Sequence, residues 1–148
     1  EVMLDAICSA TAEPEQFPGY PLGVRAIQVP DPGTDSYFLT LFGRSERTTA
    51  CACERSGDVT LPQLLHLQNS DGITRKLKSP SGRLAILLAS QPDNNKLISD
   101  LFMASVSRLP TDEEASRINA SLKDADRGEA LQDLFWALLN SKEFAFQH

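Results

Sequence analysis

The feature that most constrains this chain is a stretch rich in proline and glycine. Residues 13–35 contain five prolines and three glycines. Each proline removes an amide donor and restricts φ, so this stretch cannot form a helix and is a poor candidate for a central strand. Within it, the apolar pattern of residues 24–29 predicts one short extended segment. Phe17 and Tyr20 fit a loop packed onto a surface, which we expect to belong to an absent part of a larger parent protein.

The rest of the sequence is predominantly helical in pattern. Residues 1–7 (EVMLDAI) already read as the middle of a helix, which suggests a piece of a longer chain. Residues 36–43 (SYFLTLFG) are compatible with either a buried strand or a helical turn. Apolar residues then recur at helical spacing, and Trp136 widens the apolar face of the last long helix. The closing Phe144 and Phe146 are predicted to fold back onto the bundle. Helix starts are predicted at Asp58 or Thr60, at Ser79 or Ser81, at Asp93, at Thr111 (a capping box with Glu114) and at Asp126.

These patterns predict a mainly α fold, with residues 1–148 forming a single C-terminal fragment of a larger domain. Residues 58–148 form a helical bundle, and residues 1–57 provide a helix, a long loop and the short extended segment. A chain of 148 residues is long enough to bury a core of its own. No apolar run approaches the twenty residues needed to cross a bilayer, so membrane insertion is not expected.

The charge pattern argues against nucleic acid as a partner. The formal net charge is −6, and the acidic excess is spread along the chain. Basic residues gather only at Arg75, Lys76 and Lys78, followed by Arg83. A patch this short on an acidic protein is a poor footprint for DNA or RNA. We interpret it as a solvated helix face.

Three cysteines, Cys8, Cys51 and Cys53, are the candidates for site chemistry. They could be reduced structural thiols, Cys8 could form a disulfide with either of the others, or the set could bind a metal or a redox cofactor. With His66 they supply four zinc ligands, but the spacing matches no compact zinc signature. No cofactor is therefore predicted.

Other polar residues give weaker signals. His66 lies in a leucine-rich segment and His148 ends the chain, and neither suggests a general base. Glu54 and Arg55 form the most notable polar cluster, and we interpret them as a salt-bridged bend. No nucleophile elbow, zinc-protease motif or phosphate-binding loop is present.

Several strings of this sequence are similar to strings that occur in the same order in one bacterial family. They are 17–21 (FPGYP) with Arg25 and Ala26, 35–39 (DSYFL), 47–55 (RTTACACER), 61–69 (LPQLLHLQN), 107–111 (SRLPT) and 133–144 (DLFWALLNSKEF). Along nearly its whole length the chain thereby resembles the later portion of the planctomycete secreted-protein domain known as domain of unknown function 1553. That resemblance implies an exported multidomain parent with another domain upstream, and it carries no established activity.

The function expected from these observations is a structural or interaction module of an exported protein. Its partners would be upstream domains of the parent chain and other exported proteins. One alternative is part of an extracellular hydrolase, in which Glu54, Arg55 or Asp35 meets groups from an upstream domain. Another is a metal or redox module that uses Cys51 and Cys53.

Overall fold

The fold is mainly α-helical, as the sequence predicts. A computed structural model describes residues 1–31, 33–44, 71–123 and 125–146, and those ranges contain helices and no β-strand. In chain order the elements are α1 (Val2–Thr11), a 3₁₀ turn (Ala26–Gln28), α2 (Tyr37–Leu41), α3 (Asp71–Lys78), α4 (Arg83–Ser90), α5 (Asn94–Val106), α6 (Asp112–Ser121), α7 (Arg127–Leu139) and α8 (Lys142–Phe146). The helix expected from Asp58 or Thr60 lies outside the described residues.

A larger hydrophobic core joins the first helix to the C-terminal helices. The helices α5 and α7 pack against each other at its centre, and α1, α3, α4 and α8 surround them. Apolar side chains at helical spacing supply this core, because residues three or four apart share one face. Its buried members are Ile7, Ala10, Ile73, Leu77, Leu84, Leu97, Ile98, Leu101, Phe102, Val106, Leu131, Phe135, Leu139 and Phe144.

A smaller core lies between α1, the proline-rich segment and α2. Its buried members are Leu4, Phe17, Ala26, Val29 and Leu39. Phe17 therefore packs onto a surface of this same chain, and its expected contact with an absent part of a parent protein is wrong. The extended segment predicted at residues 24–29 is also wrong at its centre, where a 3₁₀ turn forms.

Of the four predicted helix starts that fall in the described residues, three lie at their predicted capping residues. Asp93, Thr111 and Asp126 each accept amide hydrogen bonds at the start of a helix, and Thr111 forms the predicted capping box. The helix expected at Ser79 or Ser81 instead has Gly82 at its N-cap. A Cβ at Gly82 would lie 3.0 Å from the Lys76 carbonyl oxygen, so a larger residue there requires the backbone of Lys76 to shift by a few tenths of an ångström.

Residues 36–43, which could be strand or helix from the sequence, form α2. Ser36 is its N-cap, and the Ser36 hydroxyl accepts a hydrogen bond from the Leu39 amide. Such a side-chain acceptor satisfies one of the free amides at a helix start. The stacked rings of Phe38 and Phe42, four residues apart, lie on one side of this short helix.

The end of the chain packs only in part as predicted. Phe144 is fully buried in the larger core, whereas Phe146 is 84% exposed. Trp136 is half-buried at the edge of that core, and its neighbour Phe135 is the fully buried aromatic residue of α7. The expectation that both terminal phenylalanines fold back is therefore correct for Phe144 alone.

An arginine joins three helices at one end of the bundle. The Arg108 guanidinium donates to both carboxylate oxygens of Glu114, each at 2.8 Å, and to those of Glu143 at 2.6 and 3.0 Å. It also lies 5.2 Å from the centre of the Phe102 ring. The hydrogen bonds from Arg108 lower the pKa of Glu114 to about 2, and the two carboxylates raise the pKa of Arg108. This network holds the ends of α5, α6 and α8 together.

Candidate functional site

A groove of about 640 Å³ runs beside α1. One side is formed by α1 and the C-terminal end of α5, and another by the loop at residues 23–25. Its size falls in the range of small ligand pockets, although it is open along one side. The lining residues are Val2, Asp5, Ala6, Cys8, Ser9, Ala12, Pro14, Glu15, Gly23, Val24, Arg25, Ala104, Ser105 and Ser107.

Asp5 holds the loop wall of this groove in place. Its buried carboxylate accepts hydrogen bonds from the amides of Ala26 at 2.6 Å and of Ile27 at 3.2 Å. These amides begin the 3₁₀ turn, so the carboxylate caps that turn from twenty-one residues away. A charged acceptor strengthens such bonds. The cap of this turn is thus supplied by α1.

Arg25 stands at the rim of the groove. Its side chain is 65% exposed, and its Nε lies 3.6 Å from a carboxylate oxygen of Asp5. Gly23, two residues earlier, has a φ of +91°, which L side chains rarely adopt. The loop therefore turns at Gly23 and presents Arg25 toward solvent beside the groove.

Of the predicted site residues that the structure describes, Cys8 and Asp35, it is Cys8 that lines the groove. Its thiol is half-buried and free. Burial raises the pKa of the Cys8 thiol, and the nearby charge of Lys76 offsets only part of that effect. A thiol with a raised pKa is protonated at neutral pH and is a poor nucleophile. This environment suits a structural thiol better than a reactive one.

The basic patch contributes to the structure around α1. Lys76 donates to the carbonyl oxygen of Glu13 at 3.1 Å and pairs with Glu15 at 2.9 Å. Arg83 donates to the carbonyl oxygens of Ala10 at 2.6 Å and Ser9 at 3.0 Å. Cations at a helix C-terminus satisfy its free carbonyl groups and its dipole. The solvated face predicted for the patch is therefore wrong for these two residues.

The remaining predicted site residues are not brought together in the described part of the chain. Cys51, Cys53, Glu54, Arg55 and His66 all lie outside it, as does His148. Asp35 is exposed just before α2. Among residues 1–31, 33–44, 71–123 and 125–146, no group of three or more His, Cys, Asp or Glu side chains could hold a metal ion. Within the same ranges, no helix is both long and apolar enough to cross a membrane.

Sequence reasoning missed Asp5 and the capping roles of Lys76 and Arg83. A signal for Asp5 exists, because it is the only charged residue in the ten residues of α1. An isolated acid in an otherwise apolar helix needs a partner if it is buried. The partners of Lys76 and Arg83 lie more than sixty residues away in sequence, so no local pattern indicates them.

Comparison with known proteins adds no relative. No protein-family model, no curated protein and no solved structure matches this chain. The functional argument consequently depends on the groove and on the residues that form it.

Proposed function

We propose that this chain is an interaction module of an exported multidomain protein, and that the groove beside α1 receives an upstream part of the same parent protein. The observation that carries this proposal is a preformed groove with large apolar side chains exposed around it. Val2 in the lining is 50% exposed, and Ile27, whose amide binds the groove residue Asp5, is 53% exposed. Leu22, next to Gly23, is also exposed. Grouped apolar side chains on a surface are typical of binding sites.

The floor of the groove favours close packing of another polypeptide. Ala6 and Ser9 on α1 and Ala104 and Ser105 on α5 are small residues that line it. Small side chains allow the backbone of a partner to approach closely, and an amphipathic segment laid in such a groove buries its apolar face.

The polar bonds around the groove support binding without rearrangement. Asp5 holds the loop wall, and Arg83 holds the C-terminal end of α1. A preorganised site loses less conformational entropy when a partner binds, so more of the contact energy appears as affinity. The resemblance of the sequence to an exported planctomycete family supports the choice of an upstream domain as the partner.

The proposal is tested by titrating this chain with the separately produced upstream part of its parent protein in a calorimeter. Val2→Asp and Ile27→Asp should each weaken binding at least tenfold, about 1.4 kcal/mol, because each places a charge on the apolar contact. Ile86→Asp is the matched control, since Ile86 is 54% exposed on α4 and does not line the groove. Equal losses in all three variants, or none in the first two, would refute the proposal.

A further inference from the structure

The C-terminal ends of α1 and α5 both border the groove, but they differ in their hydrogen-bond donors. Each helix ends at a residue in the left-handed conformation, Ala12 for α1 and Ser107 for α5, with the same φ of 56° and ψ of 25°. At the end of α1, the amide of Ala12 donates to a carbonyl oxygen of the last turn, and so does the amide of the following residue. Arg83 adds its guanidinium donors to the carbonyl oxygens of Ser9 and Ala10. The carbonyl groups at the end of α1 are therefore well supplied with donors.

The last carbonyl groups of α5 have no donors of this kind. An α-helix leaves its last four carbonyl groups without partners inside the helix. In α5 these belong to residues 103–106, and within the part of the chain that the structure describes no amide or side chain donates to them. Ser105 and Val106 are each only 1% exposed, so water has little access to these two residues. Because buried carbonyl groups are almost always hydrogen-bonded in folded proteins, this end of α5 calls for a donor.

The charge at this end of α5 favours a cation over a neutral donor. Aligned peptide dipoles place about half a negative charge at the C-terminal end of a helix. The last turn of α5 contains no basic residue. Arg108, which follows the helix, is bound by the carboxylates of Glu114 and Glu143, so two negative charges outweigh its positive charge. The dipole of α5 is thus left without a compensating cation in the described part of the chain, whereas Arg83 compensates that of α1.

We propose that the segment bound in the groove carries a basic side chain, which caps the C-terminal end of α5 as Arg83 caps α1. The end of α5 forms part of the groove wall through Ala104, Ser105 and Ser107. The ammonium of lysine and the guanidinium of arginine each offer several N–H donors, so either can satisfy more than one carbonyl group and the helix dipole together. This inference rests on the proposed function and names the chemistry of the occupant: apolar toward Val2 and basic toward α5.

The sign of the charge is tested at Ser107, which is exposed and lines the groove. Ser107→Lys and Ser107→Glu are compared with the natural protein by calorimetric titration with the separately produced upstream part of the parent protein. In Ser107→Lys the new ammonium repels the basic side chain of the occupant, so Kd should rise about tenfold. In Ser107→Glu the new carboxylate attracts it, so Kd should fall about threefold. Both effects should become smaller at high salt, because salt screens charges near the surface.

A matched pair of variants and an NMR measurement provide the controls. Ser121 is exposed as the last residue of α6 and does not line the groove, so Ser121→Lys and Ser121→Glu should leave Kd unchanged. In the unsubstituted protein, the carbonyl carbon-13 signals of Ser105 and Val106 should shift when the upstream part binds. The carbonyl signal of Trp136, which already accepts a hydrogen bond from an amide at the end of α7, should stay in place. This measurement decides even where a Ser107 variant does not fold.

The outcomes separate this inference from the proposed function. Binding of the upstream part with unchanged Ser105 and Val106 signals, or with equal affinity for both Ser107 variants, overturns the basic cap and leaves the groove as the docking site. Tighter binding by Ser107→Lys than by Ser107→Glu also overturns it, and would identify an acidic occupant that meets Arg25, the exposed cation on the loop wall. Absence of any binding refutes the proposed function and this inference together.

Discussion

The larger and the smaller core of this protein are held together in different ways. In the larger core, apolar side chains recur at helical spacing and pack across α1, α3, α4, α5, α7 and α8. The smaller core has fewer apolar residues, and polar groups determine its shape: Asp5 caps the 3₁₀ turn, and Arg44 binds the carbonyl oxygen of Val29. Helical periodicity specifies the first arrangement locally, whereas the second needs contacts between residues that are distant in sequence.

The comparison predicts that truncation in the larger core has the greatest effect. Phe135→Ala should cost about 3–5 kcal/mol in the free energy of unfolding, because it removes a fully buried ring. Trp136→Ala should cost clearly less, since Trp136 is only half-buried. Urea unfolding of both variants measures the difference. Equal costs would mean that Trp136 is buried as deeply as Phe135, which would contradict the structure.

In the smaller core the largest polar effect should come from Asp5. Asp5→Asn should cost about 2 kcal/mol, because hydrogen bonds to a charged carboxylate are replaced by bonds to a neutral amide. Hydrogen exchange of the Ala26 and Ile27 amides should accelerate, while amides of α5 stay protected. Asp133→Asn is the control, since Asp133 is exposed on α7. Uniform acceleration throughout the chain would mean that the two cores unfold as one unit.

The smallest expected effect is a pH dependence at the end of the bundle. The pKa of Glu114 is lowered from 4.5 to about 2, chiefly by its hydrogen bonds from Arg108. A lowered pKa means that this ion pair adds stability above pH 4.5 and loses that contribution as the pH falls toward 2. The difference in melting temperature between the natural protein and Glu114→Gln should therefore shrink over this interval. A constant difference would contradict the role given to the ion pair.

The parts of the fold that sequence predicts are those whose information is local. Asp93, Thr111 and Asp126 mark their helices because each cap binds amides two or three residues ahead. The start of α4 was misplaced because both candidate serines are engaged elsewhere: the Ser79 hydroxyl accepts from the Ser81 amide, and the Ser81 hydroxyl donates to Glu13.

Less of the candidate site than of the helices could be predicted from the sequence. Cys8 was identified, but the groove around it depends on α5 approaching α1 and on Asp5 reaching the 3₁₀ turn. The apolar residues at 24–29 favour a strand, so the sequence predicts an extended segment there. The Asp5 carboxylate, which caps the 3₁₀ turn that actually forms, lies far away in sequence. Nothing in the sequence indicates that the Arg44 side chain is buried, since an isolated arginine is ordinarily exposed.

The sharing of α1 between both cores has a consequence for synthesis on the ribosome. This helix is translated before the helices that cover it, and its anchors Lys76 and Arg83 follow their partners Glu13 and Ala10 by 63 and 73 residues. At about 5–20 residues per second, α1 waits several seconds for the helices that cover Ile7 and Ala10. During that interval its apolar face is open to chaperones and to other nascent chains. Completion of the C-terminal helices, rather than formation of α1, is the event that ends this exposure.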